Sequence, residues 1–184
     1  MSIRIAPAQN PSPKATELLE ATVKSVGKKL NIFATMANSP ATLAAYLGAQ
    51  GAVNENSTLS AALREQLSVA VAGANGCDYC ASAHTALGKM HKVNEMELAQ
   101  NLSAKSTDAK TQAALTFART IVDTRGHVTD ADVKAVRDAG YSDSELLDIL
   151  TVTCINIFTN YFNEVAGTAI DFPVFSTAEV KKAA

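Results

Sequence analysis

One short segment concentrates the side chains that do chemistry. Asn75-Gly76-Cys77-Asp78-Tyr79-Cys80-Ala81-Ser82-Ala83-His84 holds two of the three cysteines and one of the three histidines. On a helix, positions 77, 80 and 84 stand at i, i+3 and i+7 and so share one face. Two Cα atoms three residues apart on a helix lie at about 5–5.5 Å, inside the span a disulfide accepts. Cys77 and Cys80 can therefore cycle between dithiol and disulfide with little backbone movement. His84 falls one turn beyond Cys80, where an imidazole can take its proton or relay one.

Two effects compete over which thiol is the nucleophile. The helix N-terminus favours a thiolate at Cys77, because unpaired N–H groups and the dipole stabilise an anion there, by about 0.3–1 kcal/mol when exposed. The imidazole favours Cys80, and a positioned general base contributes about 10²–10⁴-fold. The larger effect selects Cys80 as attacker and Cys77 as resolver. Glu65, set among the apolar Leu63, Leu67, Val69 and Val71, belongs to the preceding helical stretch. If the Asn75-Gly76 turn folds the two stretches antiparallel, its carboxylate reaches the Cys/His face and orients His84 or exchanges protons with it. Otherwise Glu65 is an ordinary solvated helix carboxylate.

The elements that must hold these residues read as helices almost throughout. A leader ended by Pro11 and Pro13 precedes a helix over about residues 15–29, with Leu18, Leu19, Val23 and Val26 on one side. Ser39-Pro40 pairs an N-cap with proline at the first helical position; that helix ends near Gly51, before a polar linker Asn54-Glu55-Asn56-Ser57. Ser60 opens the helix carrying Glu65, Asn75-Gly76 marks a turn, and the cysteine helix covers about 77–89. Asn94 with Glu97, and Ser142 with Glu145, read as capping boxes. Between them lie helices over about 107–124 and 129–139. The last helix runs over about 142–167; its β-branched content is offset by its length, which favours a buried helix over a strand. Alternating βα patterns are absent, so the expected class is all-α with about seven or eight helices. The expected organisation is a single domain over 1–184, with a CxxC core at about 58–92, an extended leader 1–13 and an extended tail 171–184 that ends in charge at Lys181-Lys182.

Composition narrows the setting. A chain of 184 residues suits one domain and buries roughly 70% of its unfolded surface, so it needs no staple to fold. The net charge of −2 argues against a nucleic-acid footprint. No apolar run is long enough for a transmembrane helix, and MSIRIAPAQNPSP has no hydrophobic stretch of the signal-peptide kind. An odd cysteine count with one close pair is expected of a reducing, cytoplasmic setting, where such a pair is catalytic or metal-binding more often than structural. Charged residues make up 18%, against about 25% in a typical soluble domain, and there are 33 alanines. Part of the surface is therefore expected to be withheld from water.

In chain order, Glu65, then Asn75-Gly76-Cys77-x-x-Cys80, then His84 resemble the alkylhydroperoxidase AhpD core of the carboxymuconolactone decarboxylase superfamily. The resemblance covers most of the chain, through Leu30-Asn31-Ile32-Phe33 with Ser39-Pro40, Leu59-Ser60 with Arg64-Glu65, Asn160-Tyr161-Phe162-Asn163, and Asp171-Phe172-Pro173. It implies an AhpD-like helical bundle and a thiol peroxidase. By that resemblance Cys80 attacks hydrogen peroxide or an organic peroxide and becomes a sulfenic acid. Cys77 then closes a disulfide, with Glu65 and His84 as the proton relay. A dithiol of dihydrolipoyl or thioredoxin-like type would reopen it, and a peroxiredoxin is an implied partner. The resemblance further implies no cofactor, no metal, and a trimer or hexamer whose contacts would absorb the missing polarity. This chain departs from the pattern at Tyr79, where the best-known branch carries histidine, and at Glu164, where many relatives do. Those departures suggest a peroxidase-related branch with a different physiological substrate.

Rival readings stand beside this one. The fold is shared with lyases of the carboxymuconolactone decarboxylase type, which do not need the cysteine pair. Cys77, Cys80, His84 and His91 are ligand types that zinc accepts, although His91 lies two turns from His84. Tyr79 reads as packing more than catalysis. Cys154, among Val152, Ile155, Ile157 and Phe158, reads as a buried, inert thiol. Asn156, Asn160 and Asn163 form one helical stripe that lines either the pocket or an interface.

Overall fold

A computed structural model describes residues 2–178; Lys181-Lys182 and the end of the expected tail lie outside them. Among the described residues there are nine helices and no strand. The all-α expectation holds, with one helix more than the sequence suggests. Helix α1 (Pro13–Val26) begins on Ser12, whose hydroxyl accepts the Ala15 N–H, and ends at Gly27 in the left-handed region. It stops short of the expected boundary because the chain turns at that glycine.

The unforeseen element is α2 (Asn31–Met36). Its first N–H is satisfied by the Asp171 carboxylate, with Asn31 N donating to Oδ2 at 2.9 Å. The partner lies 140 residues away, so no local pattern announces this helix. Helix α3 (Pro40–Asn56) starts on Ser39 as expected, but continues through Gly51 and absorbs the supposed linker. Gly51 is not among the positive-φ glycines, and no turn is built there.

Helix α4 (Ala61–Asn75) is the centre of the molecule, buried from Gln66 through Gly73. It packs against α5 (Asp78–Met90), α6 (Glu95–Asn101), α7 (Ala109–Thr124) and α9 (Asp143–Ala166). A Cβ on Gly73 would stand 2.0 Å from the Leu102 carbonyl oxygen, so the absent side chain is what lets the end of α6 approach. Helix α6 does start at Asn94, but the expected capping box is not formed. Asn94 accepts the Met96 N–H, while Glu97 turns away to Ser106, Thr107 and Asn101. Three donors converging from the following loop outbid one backbone N–H. The boxes at Ser142 with Glu145 and at Thr129 with Asp132, which opens α8 (Asp130–Asp138), are complete.

Buried side chains form two clusters on either side of α4. One gathers Leu19, Phe33, Met36, Leu43 and Leu98 around Cys77 and Cys80. The other gathers Leu67, Val71, Leu115, Ile121, Ile149 and Val152. The termini close over the first cluster. The N–H groups of Arg4 and Ile5 reach the Ala166 carbonyl, and the extended tail binds α5 through Phe175 N to Ser82 Oγ and Thr177 to Asp78. Among the described residues, no helix is long and apolar enough to cross a membrane.

Cys154 corrects the sequence reading, because it is exposed. Helix α9 turns Ile149, Val152, Thr153, Asn156, Thr159, Asn160 and Asn163 inward, and Cys154 falls on the other side. Both sides of α9 are apolar, so apolar neighbours could not tell which one faces in.

Candidate active site

The site is set by a tight connection between two helices. Asn75 ends α4, and Gly76 takes a left-handed conformation, φ 68°, with its N–H bonded to the Ala72 and Gly73 carbonyls. Glycine adopts that conformation without steric penalty. Cys77 follows as the N-cap of α5, its Sγ accepting the Cys80 N–H at 3.3 Å. Cys77 thus stands just before the helix, and Cys80 sits in its first turn. Helix α5 then runs back along α4 and brings His84 Nδ1 to 2.7 Å from Glu65 Oε2. The antiparallel fold on which Glu65 depended is present, and the reading of Glu65 as a solvated carboxylate gives way to a partly buried ion-pair partner.

The two thiols are not equivalent. Their Sγ atoms lie 2.6 Å apart in the buried interior, and a disulfide bond of about 2.05 Å needs only a small closure from there. Cys77 is held well above the ordinary thiol range. It donates its proton to Cys80, it is buried, and the neighbouring Cys80 charge opposes its ionisation; the Cys80 N–H only partly compensates. For Cys80, burial pushes the thiol up. Four groups outweigh it and bring the thiol below its ordinary value: the Cys77 hydrogen bond, the charge of His84, and the amides of Asn163 and Asn160. Asn163 Nδ2 donates to Cys80 Sγ at 3.2 Å. Burial lowers His84, but the Glu65 charge and hydrogen bond, with the Cys80 charge, raise it overall. Both shifts run in the direction of a thiolate at Cys80 beside an imidazolium at His84, whose ring Glu65 orients.

Cys80 opens onto a cavity of about 80 Å³, walled by Leu30, Ile32, Phe33, Tyr46, Tyr79, Leu87 and Phe172, with His84 and Asn163 as polar members. Cys77 is not among its lining residues. Tyr79, which the sequence reading gave to packing, does pack edge-on against Phe172. It also donates to Asp171 Oδ2 at 2.7 Å, so one carboxylate ties α5, the start of α2 and the tail together. Tyr46 escaped the sequence reading. It lines the same cavity as Cys80, and its phenol is pushed up by burial and by the charges of Cys80 and Glu65. No motif at position 46 signals this, because α3 reaches the site only through packing.

The asparagine stripe faces inward. Asn156 binds Ser68, Asn160 accepts from Asn75, and Asn163 holds Cys80. The buried Asn163 Oδ1 has no hydrogen-bond partner among the described residues, and Asn160 Nδ2, although it adds to the support of Cys80, makes no hydrogen bond of ordinary geometry there. His91 is exposed at the C-cap of α5. Among the described residues no three His, Cys, Asp or Glu side chains are grouped to hold a metal ion, so the four-ligand zinc arrangement does not assemble.

Comparison with known proteins agrees with this construction. Residues 40–124 match the carboxymuconolactone decarboxylase family. A 64-residue stretch is 34% identical to an uncharacterized protein of Cupriavidus necator, covering 35% of this chain and 57% of that protein, so the match spans little more than half of that relative's length. The structure is similar to an AhpD-core, peroxidase-related protein of Ralstonia eutropha JMP134 (TM-score 0.81, 23% identity, 92% of this chain and 94% of that one). It is also similar to a cysteine-to-alanine variant of the debrominase Bmp8 in complex with 2,3,4-tribromopyrrole (TM-score 0.78, 18% identity, 100% of this chain and 98% of that one). The family match spans Glu65, Cys77, Cys80 and His84, and the fold is one this chain shares with the AhpD-core, peroxidase-related protein and with the debrominase.

Proposed function

We propose that this chain is a thiol-dependent peroxidase of antioxidant defence, working through a Cys77/Cys80 dithiol–disulfide cycle. The observation that carries the reading is the division of labour between two adjacent sulfurs. The one favoured as thiolate lines the cavity, and the one held as thiol lies 2.6 Å away, outside the lining. The Cys80 thiolate attacks one peroxide oxygen and the O–O bond breaks. The departing oxygen takes a proton from His84 and leaves as water or an alcohol. Cys80 is then a sulfenic acid. Cys77 attacks its sulfur, water leaves, and the disulfide forms; a dihydrolipoyl-type or thioredoxin-like dithiol restores both thiols. Glu65 holds the imidazole in place and stabilises its charge. The apolar, aromatic wall of the cavity favours an organic hydroperoxide over hydrogen peroxide.

Thiol titration tests the reading. Peroxide should remove two thiols per chain, and dihydrolipoamide should restore them. Cys80→Ser should abolish the first oxidation, while Cys77→Ser should stop at a trappable sulfenic acid. Full peroxide turnover in Cys80→Ser overturns the reading, and a native activity that survives in the double serine variant would point to a lyase instead. A second reading rests on the same aromatic cavity and on the likeness to the debrominase. The dithiol could supply two electrons to a halogenated ring, giving the dehalogenated ring, hydrogen halide and the same disulfide. Bromide release from tribromopyrrole by the reduced protein separates this from peroxide reduction.

A further inference from the structure

The inward stripe of α9 holds two polar atoms that the resting site leaves unused. The buried amide of Asn163 presents a donor and an acceptor side by side next to Cys80. Its donor is engaged, with Nδ2 at 3.2 Å from Cys80 Sγ. Its acceptor is not, since Oδ1 is buried and has no partner among the described residues. Asn160, one turn earlier, has the opposite imbalance. Its Oδ1 accepts from Asn75 Nδ2 at 2.9 Å, while its own Nδ2 is buried without a partner. That amide still adds to the support of Cys80.

A buried polar group without a partner is costly and uncommon. Here an unmet acceptor and an unmet donor stand on adjacent turns of one helix, both on side chains that support the same sulfur. The other unpartnered atoms, on Thr85, Asn101 and Thr168, are scattered over three different segments.

A thiolate cannot satisfy this pair, because it has no hydrogen to give. A sulfenic acid can. When Cys80 attacks a hydroperoxide, the terminal oxygen passes to sulfur with its hydrogen, and the other oxygen leaves with a proton from His84. The hydrogen on sulfur's new oxygen then meets Asn163 Oδ1, while Nδ2 of the same amide keeps its bond to Sγ. The lone pairs of that oxygen meet Asn160 Nδ2. Cys80 and Asn163 both line the cavity, so an oxygen delivered from it arrives beside that amide.

We propose that Asn160 and Asn163 are catalytic residues for the oxidised intermediate, Asn163 Oδ1 accepting the O–H of the Cys80 sulfenic acid and Asn160 Nδ2 donating to its oxygen. The proposal rests on the peroxidase reading above. Held in this way, the intermediate stays a neutral acid with a fixed S–O bond. Cys77 attacks that form: the S–S bond forms, the S–O bond breaks, and the oxygen leaves as water with the Cys77 proton. The sulfenate anion would instead attack a second peroxide and pass to the irreversible sulfinic acid.

The two amides act with opposite sign, which separates this role from packing. A hydrogen bond to the neutral form of an acid raises its titration midpoint, and one to the anion lowers it. Cys77→Ser protein treated with one equivalent of peroxide should stop at the sulfenic acid. Its over-oxidation by further peroxide, followed across pH by intact-mass spectrometry, reads the midpoint at which sulfenate appears. In that background Asn163→Leu should lower the midpoint by about half a pH unit or more, because the sulfenate charge rests mainly on oxygen and the lost acceptor outweighs the lost donor. Asn160→Leu should raise it by about as much. Asn163→Asp keeps an acceptor and loses the donor, so alkylation of Cys80 should slow while the midpoint does not fall. Asn156→Leu, in the same stripe but bonded to Ser68, should leave the midpoint in place.

Shifts of the same sign in Asn160→Leu and Asn163→Leu, or no shift in either, overturn the proposal and leave the peroxidase reading standing. Failure of Cys77→Ser to form any sulfenic acid overturns both. If a leucine variant fails to fold, alanine at the same position removes the amide without adding volume and carries the same expectation.

Discussion

At the scale of single residues, the site works by drawing two titrations toward each other. Cys80 lies below its ordinary 9.0 and His84 above its ordinary 6.5. Thiolate accumulates as pH rises through the Cys80 value. In the proposed mechanism an imidazolium protonates the departing oxygen, and that form is lost as pH rises through the His84 value. Peroxide reduction should therefore rise and then fall with pH, whereas alkylation of Cys80, which needs only the thiolate, should rise and level off. Glu65→Gln removes the charge that raises His84, so the falling limb should move to lower pH and turnover should drop by about 10²-fold. A stopped-flow pH profile on both variants checks this. Asn163→Leu removes the amide that donates to Cys80 Sγ. A hydrogen bond to a charged acceptor is worth about 1.5–3 kcal/mol, so alkylation at neutral pH should slow by about tenfold or more. Unchanged alkylation would remove Asn163 from the thiolate's support.

At the scale of elements, α4 positions the chemistry because its small residues let neighbours come close. Gly73 is the tightest case, with the Leu102 carbonyl oxygen where a Cβ would go. Gly73→Ala must push backbone aside, and overpacking of this kind costs about 1–3 kcal/mol. For a chain of this length each kcal/mol lowers Tm by about 2–4 °C, which calorimetry will resolve. Gly88→Ala should be milder, since its Cβ would meet only the Leu98 side chain, at 2.8 Å. The inward face of helix α9 sends Asn163 to the thiol and Asn160 to Asn75 at the end of α4.

At the scale of the whole molecule, the two termini and α2 enclose the site. Asp171 is the knot, accepting from the Tyr79 hydroxyl and the Asn31 N–H at once. Asp171→Ala leaves both donors without their acceptor, at a cost of about 1–3 kcal/mol. It should also loosen the tail over Cys80. The expected outcome is a lower Tm together with faster alkylation of Cys80 in the folded protein. A lower Tm without a change in alkylation would make Asp171 a purely structural tie.

The sequence by itself determined what depends on near neighbours. Cys77, Cys80 and His84 lie within eight residues, so helix geometry alone put them together. Ser39, Ser60 and Ser142 announced helix starts because a cap bonds only two or three residues ahead. The tertiary structure decided what depends on distant partners. Whether Glu65 met His84 turned on the direction of α5 after Gly76. Helix α2 needed a carboxylate from the other end of the chain. Glu97 had several donors to choose from, and only packing chose among them. The exposure of Cys154 followed from which side of an uncharged helix the asparagines drew inward. The low charged fraction is legible from composition, but where uncharged surface gathers, along the outward side of α9, is visible only once that helix has its neighbours.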